Sequence, residues 1–321
     1  MSNGTMRAAA IDAFGGPEKL RVQELPLPTP GPEQVRIRMA AAAVNPADIG
    51  MVEGRYRWRE PVRFPLVPGY DVAGSIDAVG ESVTRFHVGD QVIATSQHSH
   101  TQAGTYAEYV VLPEKYLALA PARIDATVAA ALPLAGLTAL QALEALALTA
   151  GQTLLINNPF GAVGNFAMQL AAQRGLTILA PTYEHDADLA RVQGAAIILD
   201  RERDLAEQAQ RAIPGGLDAA LDVVGGRVAM SAFNAIRDGG RYATVVPEWW
   251  IPGGQFTPKR GITPYMVAIR SDAAQLAELS SLMAAGRLTA RVAKILPLEQ
   301  AEEAHRLLQA GGLRGKIVLV P

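Results

Sequence analysis

Two glycines, Gly161 and Gly164, stand between an apolar run, TLLIN, and a stretch with helical periodicity, AVGNFAMQLA. A bound dinucleotide needs that order of strand, glycine-bearing turn and helix. Glycine lets the backbone approach a pyrophosphate, and the helix opens with free amides at the positive end of its dipole. The glycine spacing alone says little; the strand before it, the helix after it and a second strand ending about 20 residues on give it weight. Pro159, Gly161, Ala162, Val163 and Gly164 are the expected cradle.

The end of that second strand selects the dinucleotide, because an acidic residue there grips an unphosphorylated ribose and repels a 2′-phosphate. The strand runs out as LAPTYEH, with Pro181 and Thr182 at the deciding place. Neither is acidic, so NADPH is expected ahead of NADH; Glu184 lies further along. Thr182, Tyr183, His185 and Arg201 are the nearest candidates for the adenosine end. Arg201 is the better phosphate partner because its planar fork binds two oxygens at once.

The elements that must position these residues follow from texture. From Met6 to about Ala122, short alternating runs such as VRIRMAAAAV and DQVIA are broken by Pro and Gly, which reads as mostly β. PLPTPGPE is a stiff loop between strands. After Asp125 the stretch ATVAAALPLAGLTALQALEAL suits a helix interrupted at Pro133. Strands and helices then alternate through TLLIN, AVGNFAMQLAAQRG, TILAP, DADLARVQG, AIILD, LDAALDVV and RYATVV, which implies βαβ crossovers and a parallel sheet. LEQAEEAHRLLQAG and KIVLV read as a closing helix and strand.

Composition narrows the chemistry. The 321 residues are 49% hydrophobic and 19% charged, a globular balance. With 29 basic and 31 acidic residues, charge alone draws the chain neither to nucleic acid nor to a membrane surface. There is no cysteine, which excludes disulfides, thiolate nucleophiles and cysteine-bound zinc. His98 and His100 in SQHSHTQ lack a neighbouring third ligand and are read as loop residues. The start, MSNGTMRAAA, has no apolar core behind a basic segment, and no apolar span reaches the roughly 18 residues of a membrane helix. A cytoplasmic location is expected.

Several separated motifs occur in one order: NPAD at 45–48, PLVPGYDVAGSIDAVG at 65–80, FHVGDQV at 86–92, GTYAEYV at 104–110, LPLAGLTALQAL at 132–143 and RGKIVLV at 314–320. Together they resemble the zeta-crystallin-like quinone oxidoreductases, zinc-free members of the medium-chain dehydrogenases/reductases. The resemblance implies an α/β protein: a GroES-like β-rich catalytic domain, residues 1–122 and 271–321, with a Rossmann doubly wound parallel-sheet domain, 123–270, inserted. It also implies that zinc-bearing relatives carry ligands where this chain has Asn45, Tyr70 and Leu134, none of the usual type, so no metal is expected.

The same resemblance assigns further residues. Asn45 takes a place near the nicotinamide ribose. Tyr56 stands where enoyl-thioester reductases of the superfamily keep a proton-donating tyrosine, and a phenol with a pKa near 10 is protonated at neutral pH. Thr138, Val224, Val246, Ile269 and Lys316 occupy cofactor-contacting positions, the apolar ones through backbone groups. Trp249 and Trp250 are expected to line an acceptor slot by stacking on a flat ring, or alternatively to join a homodimer formed through the strand ITPYMVAIR. The leading expectation is NADPH-dependent quinone reduction without a metal. The alternatives are reduction of an alkenal, enone or enoyl thioester, and an NADPH-binding sensor or structural protein without turnover.

Overall fold

The computed structural model describes residues 4–55, 61–246 and 260–321. The chain forms two compact units, Met1–Leu137 with Arg270–Pro321, and Thr138–Ile269.

In the first unit β1 (Thr5–Ala10) pairs antiparallel with β2 (Arg21–Pro26). β3 (Gln34–Ala43) follows, with Val35, Ile37, Met39 and Ala41 all buried at every second position, as a strand with one covered face requires. Next come α1 (Pro46–Val52), β4 (Asp71–Val79), β5 (Gln91–Thr95), α2 (His98–Thr101), β6 (Tyr109–Pro113), β7 (Leu117–Leu119) and α3 (Ala126–Ala130). The expected Ala- and Leu-rich helix is two helices. α3 ends before Pro133, and α4 (Pro133–Leu146) begins at it, because proline clashes inside a helix yet suits the first turn, where its missing amide is not needed.

The second unit opens with β8 (Thr153–Ile156), α5 (Ala162–Gln173), β9 (Thr177–Thr182), α6 (Ala187–Val192) and β10 (Ala195–Asp200). It continues through α7 (Leu205–Ala212), β11 (Leu217–Asp222), α8 (Gly226–Asn234), β12 (Ile236–Thr244) and β13 (Pro264–Met266). Neither α7 nor α8 was anticipated. Their helical sequence is short, and α7 is announced mainly by Asp204, whose side chain accepts the Glu207 amide as a cap. The strands form a six-stranded sheet in the order β10-β9-β8-β11-β12-β13, every neighbour parallel. The order reverses direction beside β8, so right-handed crossovers place α5 and α6 on one face, α7 and α8 on the other. Leu205 and Ala209 of α7 and Ala232 and Phe233 of α8 share a core with Leu155, Leu179 and Ala220 of the strands.

The chain then returns to the first unit through α9 (Ala273–Ala284), β14 (Val292–Pro297), α10 (Ala301–Ala310) and β15 (Lys316–Val320). The unit's larger sheet runs β14-β15-β3-β4-β5-β7, with β6 also on β3. Residues from both ends of the chain therefore meet: Leu296, Leu298, Ile317 and Leu319 share one core with Val35, Ile37, Tyr70 and Val72. Among the described residues no helix is long and apolar enough to cross a membrane.

Candidate active-site residues

Asn45 caps α1 with Pro46 at the first helical position and Asp48 in the first turn. The Asp48 carboxylate accepts the Asn45 backbone amide at 2.7 Å, so the acid fixes the entry of the chain into the helix. The Asn45 side chain turns elsewhere. Its Nδ2 donates to the Ala43 carbonyl at 3.1 Å and to Asp71 Oδ2 at 3.0 Å, and its Oδ1 accepts from Lys316 Nζ. A donor-only ammonium on one side and a carboxylate on the other settle which way the amide faces.

Asp71, the first residue of β4, collects three donors: Leu134 N at 2.7 Å on Oδ1, and Asn45 Nδ2 and Lys316 Nζ, the latter at 3.3 Å, on Oδ2. Burial pushes its carboxyl above the ordinary range, while Lys316, Asn45 and the Leu134 amide pull it back. Lys316 begins β15. Its position depends on Gly315, whose φ of +125° and whose approach to the Arg291 carbonyl leave no room for a side chain: a Cβ there would lie 2.5 Å from that oxygen. The Lys316 amide in turn donates to the same carbonyl at 2.8 Å. The Lys316 side chain is only 5% exposed and Asp71 is wholly buried.

Behind Asn45 lies a second buried group. Tyr106 Oη donates to Asp48 Oδ2 at 2.9 Å, so its oxygen accepts from His305 Nε2 at 3.2 Å. That fixes the His305 tautomer and leaves Nδ1 without a proton. Among the described residues neither Asp48 Oδ1 nor His305 Nδ1 has a partner. Burial pushes Asp48 up to about 7 against the pull of the Asn45 amide, Lys316 and Tyr106, and holds His305 down to about 4. His98 is also buried, packed against Tyr70 with ring centroids 5.7 Å apart, and is held down to about 3 by the loss of solvent. This corrects its reading as a loop residue.

In the second unit Gly161 caps α5 and the helix ladder begins with the Asn165 amide on the Gly161 carbonyl, at 2.8 Å. The amides of Ala162, Val163 and Gly164 precede that ladder, as an anion-binding helix start requires. Gly164 also has a packing task. A Cβ on it would lie 1.8 Å from the Asn158 carbonyl oxygen, so this glycine lets helix and loop backbone pack together, whereas a Cβ on Gly161 would meet only the Asn158 side chain.

At the end of β9 the Thr182 hydroxyl donates to the Tyr183 carbonyl at 2.9 Å. The Arg201 guanidinium lies 4.5 Å from the centre of the Tyr183 ring, and the His185 ring stacks on the same tyrosine at 5.4 Å. The three expected residues thus form one exposed cluster. Strand ends nearby are fixed by Asp222, which accepts from Asn157, Thr244 and the Val224 and Gly225 amides. The Val224 amide is spent on Asp222 and the Val246 amide on Thr244 Oγ1, which leaves only the carbonyls of these two residues for any backbone contact. Thr138 is buried on α4 and Ile269 is half-buried after β13. Tyr56, Trp249 and Trp250 lie outside the described residues.

Sequence reasoning missed Asp71, Tyr106, His305 and Asp222. For Asp48 a signal existed, the N-x-x-D spacing around Pro46 that marks a helix start. For the others the decisive side-chain partners lie far away in the chain: Lys316 for Asp71, His305 for Tyr106, and Asn157 and Thr244 for Asp222.

Comparison with known proteins agrees with this anatomy. Residues 31–122 match the family described as Alcohol dehydrogenase GroES-like domain, and residues 193–319 the one described as Zinc-binding dehydrogenase. The chain is 31% identical to a quinone oxidoreductase of Lama guanicoe, over 98% of this chain and 97% of that one. It is 30% identical to a chloroplastic NADPH-dependent alkenal/one oxidoreductase of Arabidopsis thaliana, over 98% of this chain and 80% of that one. The solved structure of the quinone oxidoreductase from Coxiella burnetii superposes with a TM-score of 0.87 at 27% identity, covering 99% of this chain and 100% of that one. Similarity of this extent, carried through both units, makes the chain an oxidoreductase of the medium-chain dehydrogenase/reductase family, and it belongs there to the zeta-crystallin-like quinone oxidoreductases.

Proposed function

We propose that this oxidoreductase reduces a quinone with NADPH and without a metal ion. The observation that carries the reading is the arrangement at the reversal of the parallel sheet: open α5 amides after β8, and a neutral Thr182 with Arg201 on Tyr183 after β9. In this reading residues 1–122 and 271–321 form the catalytic domain and 123–270 the nucleotide domain. When bound, NADPH supplies the hydride. The Ala162, Val163 and Gly164 amides hold the pyrophosphate, Arg201 pairs with the 2′-phosphate, and Thr138, Val224, Val246 and Ile269 frame the rest.

The donor set around Asn45 supports metal-free chemistry. Zinc takes thiolate, imidazole or carboxylate. Here Asn45 Oδ1 is bound to an ammonium, Tyr70 is a buried phenol and Leu134 is aliphatic. A divalent cation beside Lys316 would meet like charge, so the residues do not fit zinc.

An NADPH-oxidation screen against ortho- and para-quinones and short enals tests the reading, with calorimetry for NADPH and NADH alongside. Turnover with quinones and tighter binding of NADPH are expected; binding without turnover would point to a sensor. A second substrate class, the activated alkene, is favoured by the Arabidopsis relative. Tyr56→Phe separates the two, since only alkene reduction requires its proton.

A cytoplasmic homodimer completes the proposal. β13 lies at the sheet edge, paired among the described residues only with β12, and exposes Tyr265 at 54%. Such an edge suits strand pairing with a second copy. Sedimentation of a Tyr265→Lys variant should then report monomer.

A further inference from the structure

We infer that Lys316, held by Asp71 and Asn45, is the group of the buried cluster that meets a ligand oxygen, and that it stabilises the oxyanion of the reduced acceptor. The inference rests on the reductase reading above and deepens it.

Asn45 cannot donate to a ligand. Its two amide protons are spent on Ala43 O and Asp71 Oδ2, and one lone pair of Oδ1 is taken by Lys316. Lys316 is different. An ammonium carries three N–H donors, and its acceptors here are Asn45 Oδ1 and Asp71 Oδ2. One N–H is therefore without an acceptor among the described residues. The side chain is only 5% exposed, so bulk water is nearly excluded from it and the third N–H is the donor left for a ligand oxygen. Asp71 is locked by the Leu134 amide on its other oxygen, so the ammonium is aimed before any ligand arrives.

A charge prepared in this way acts where negative charge develops. When a hydride adds to a conjugated carbonyl compound, two electrons and a proton leave the dihydronicotinamide, which is oxidised. The acceptor is reduced, its carbonyl π pair comes to rest on oxygen, and a solvent proton completes the product. Lys316 holds that oxygen while it is anionic. It is thus a catalytic residue, and Asn45 and Asp71 are positioning residues.

Replacing Lys316 alone would strand a buried carboxylate, so the informative variant is Lys316→Met with Asp71→Asn. Two readouts on the full chain are needed. With the best acceptor from the screen, kcat should fall by about a hundredfold to a thousandfold while NADPH affinity changes less than about threefold. Independently, 4-nitrophenol, whose absorbance distinguishes phenol from phenolate, is titrated in the complex. Wild type should lower its ionisation by about one pH unit or more, and the double variant should abolish that shift. An equal shift in both proteins, no shift in wild type, or an unchanged kcat would overturn the assignment. A wild type that shifts 4-nitrophenol but oxidises NADPH with no quinone or enal would overturn the reductase reading and retain Lys316 as an oxyanion site.

Discussion

Tyr106 donates its hydroxyl proton to Asp48 across 2.9 Å, and neither side chain touches solvent. The tyrosine and the acid come from opposite ends of a long loop-and-sheet excursion, 58 residues apart, yet one oxygen of Asp48 serves both this hydroxyl and the Asn45 amide. A carboxylic acid that is wholly buried and short of partners on its other oxygen holds its proton to unusually high pH, which makes stability depend on pH in an unusual direction.

Asp48 titrates at about 7 in the fold and near 3.9 when unfolded. Between those values the native state binds the extra proton, so this group's contribution falls as pH rises, by about 1.4 kcal/mol per pH unit, and is lost above about pH 7. Asp48→Asn keeps an oxygen for the Asn45 amide and the Tyr106 hydroxyl and cannot ionise. The stability of the variant relative to wild type should therefore rise by up to about 4 kcal/mol between pH 4 and pH 7. Urea unfolding at several pH values measures it. The buried histidines His98 and His305 act in the opposite sense below about pH 6.5, but both proteins carry them and the difference cancels.

Gly164 and Gly161 should respond differently to alanine. At Gly164 the new methyl would overlap the Asn158 carbonyl, a backbone atom that cannot step aside without moving the loop. Gly164→Ala is expected to lose several kcal/mol of stability, on the order of 2–4, together with NADPH binding. Gly161→Ala meets only the end of the Asn158 side chain and should keep its thermal midpoint within a few degrees. Equal melting temperatures for the two variants would show that Gly164 is not a packing glycine.

The contrast between these glycines shows what the sequence could and could not disclose. The cradle was legible because strand, turn and helix are consecutive and each leaves a local periodicity. Which glycine serves packing was not, because the clash arises between backbone atoms whose approach only the folded loop defines. Lys316 and Asp71 are 245 residues apart, so no local pattern could pair them; resemblance singled out Lys316 as a cofactor contact, and only geometry gave it a buried counter-ion. The same distance effect hid Tyr106 and His305. Asn45 spends both amide protons on Ala43 and Asp71 and takes Lys316 on its oxygen, an orienting role toward the lysine that no local pattern announced. Pro133 was visible as an interruption, but that it starts a helix rather than kinking one depends on where α3 stops.

Arg201 should decide between the two nicotinamide dinucleotides. It is exposed, has no carboxylate partner among the described residues and rests on the Tyr183 ring, which preorganises its fork at modest entropic cost. Arg201→Ala should weaken NADPH by about tenfold or more, as loss of a charge-assisted pair of about 1.5–3 kcal/mol implies, and leave NADH within about twofold. Calorimetry at low and moderate salt checks it. The wild-type preference should shrink as salt rises, and a variant that weakens both dinucleotides equally would place the 2′-phosphate elsewhere.

Stability measurements on Lys316 and Asp71 separate a structural pair from a functional one. Removing one partner of a buried ion pair leaves the other charge without compensation, so Lys316→Met alone should cost about 3–5 kcal/mol. Removing both charges at once releases the desolvation penalty of both, so Lys316→Met with Asp71→Asn should lie within about 1–2 kcal/mol of wild type. The coupling between the two sites, read from urea unfolding of both single variants and the double, is then several kcal/mol and opposes the single losses. If the pair existed to hold β15 against β4, the double variant would unfold as readily as the worse single one. A well-folded double variant means instead that the fold carries a buried lysine and its counter-ion without needing them, which is the expected signature of charges kept for the chemistry they perform.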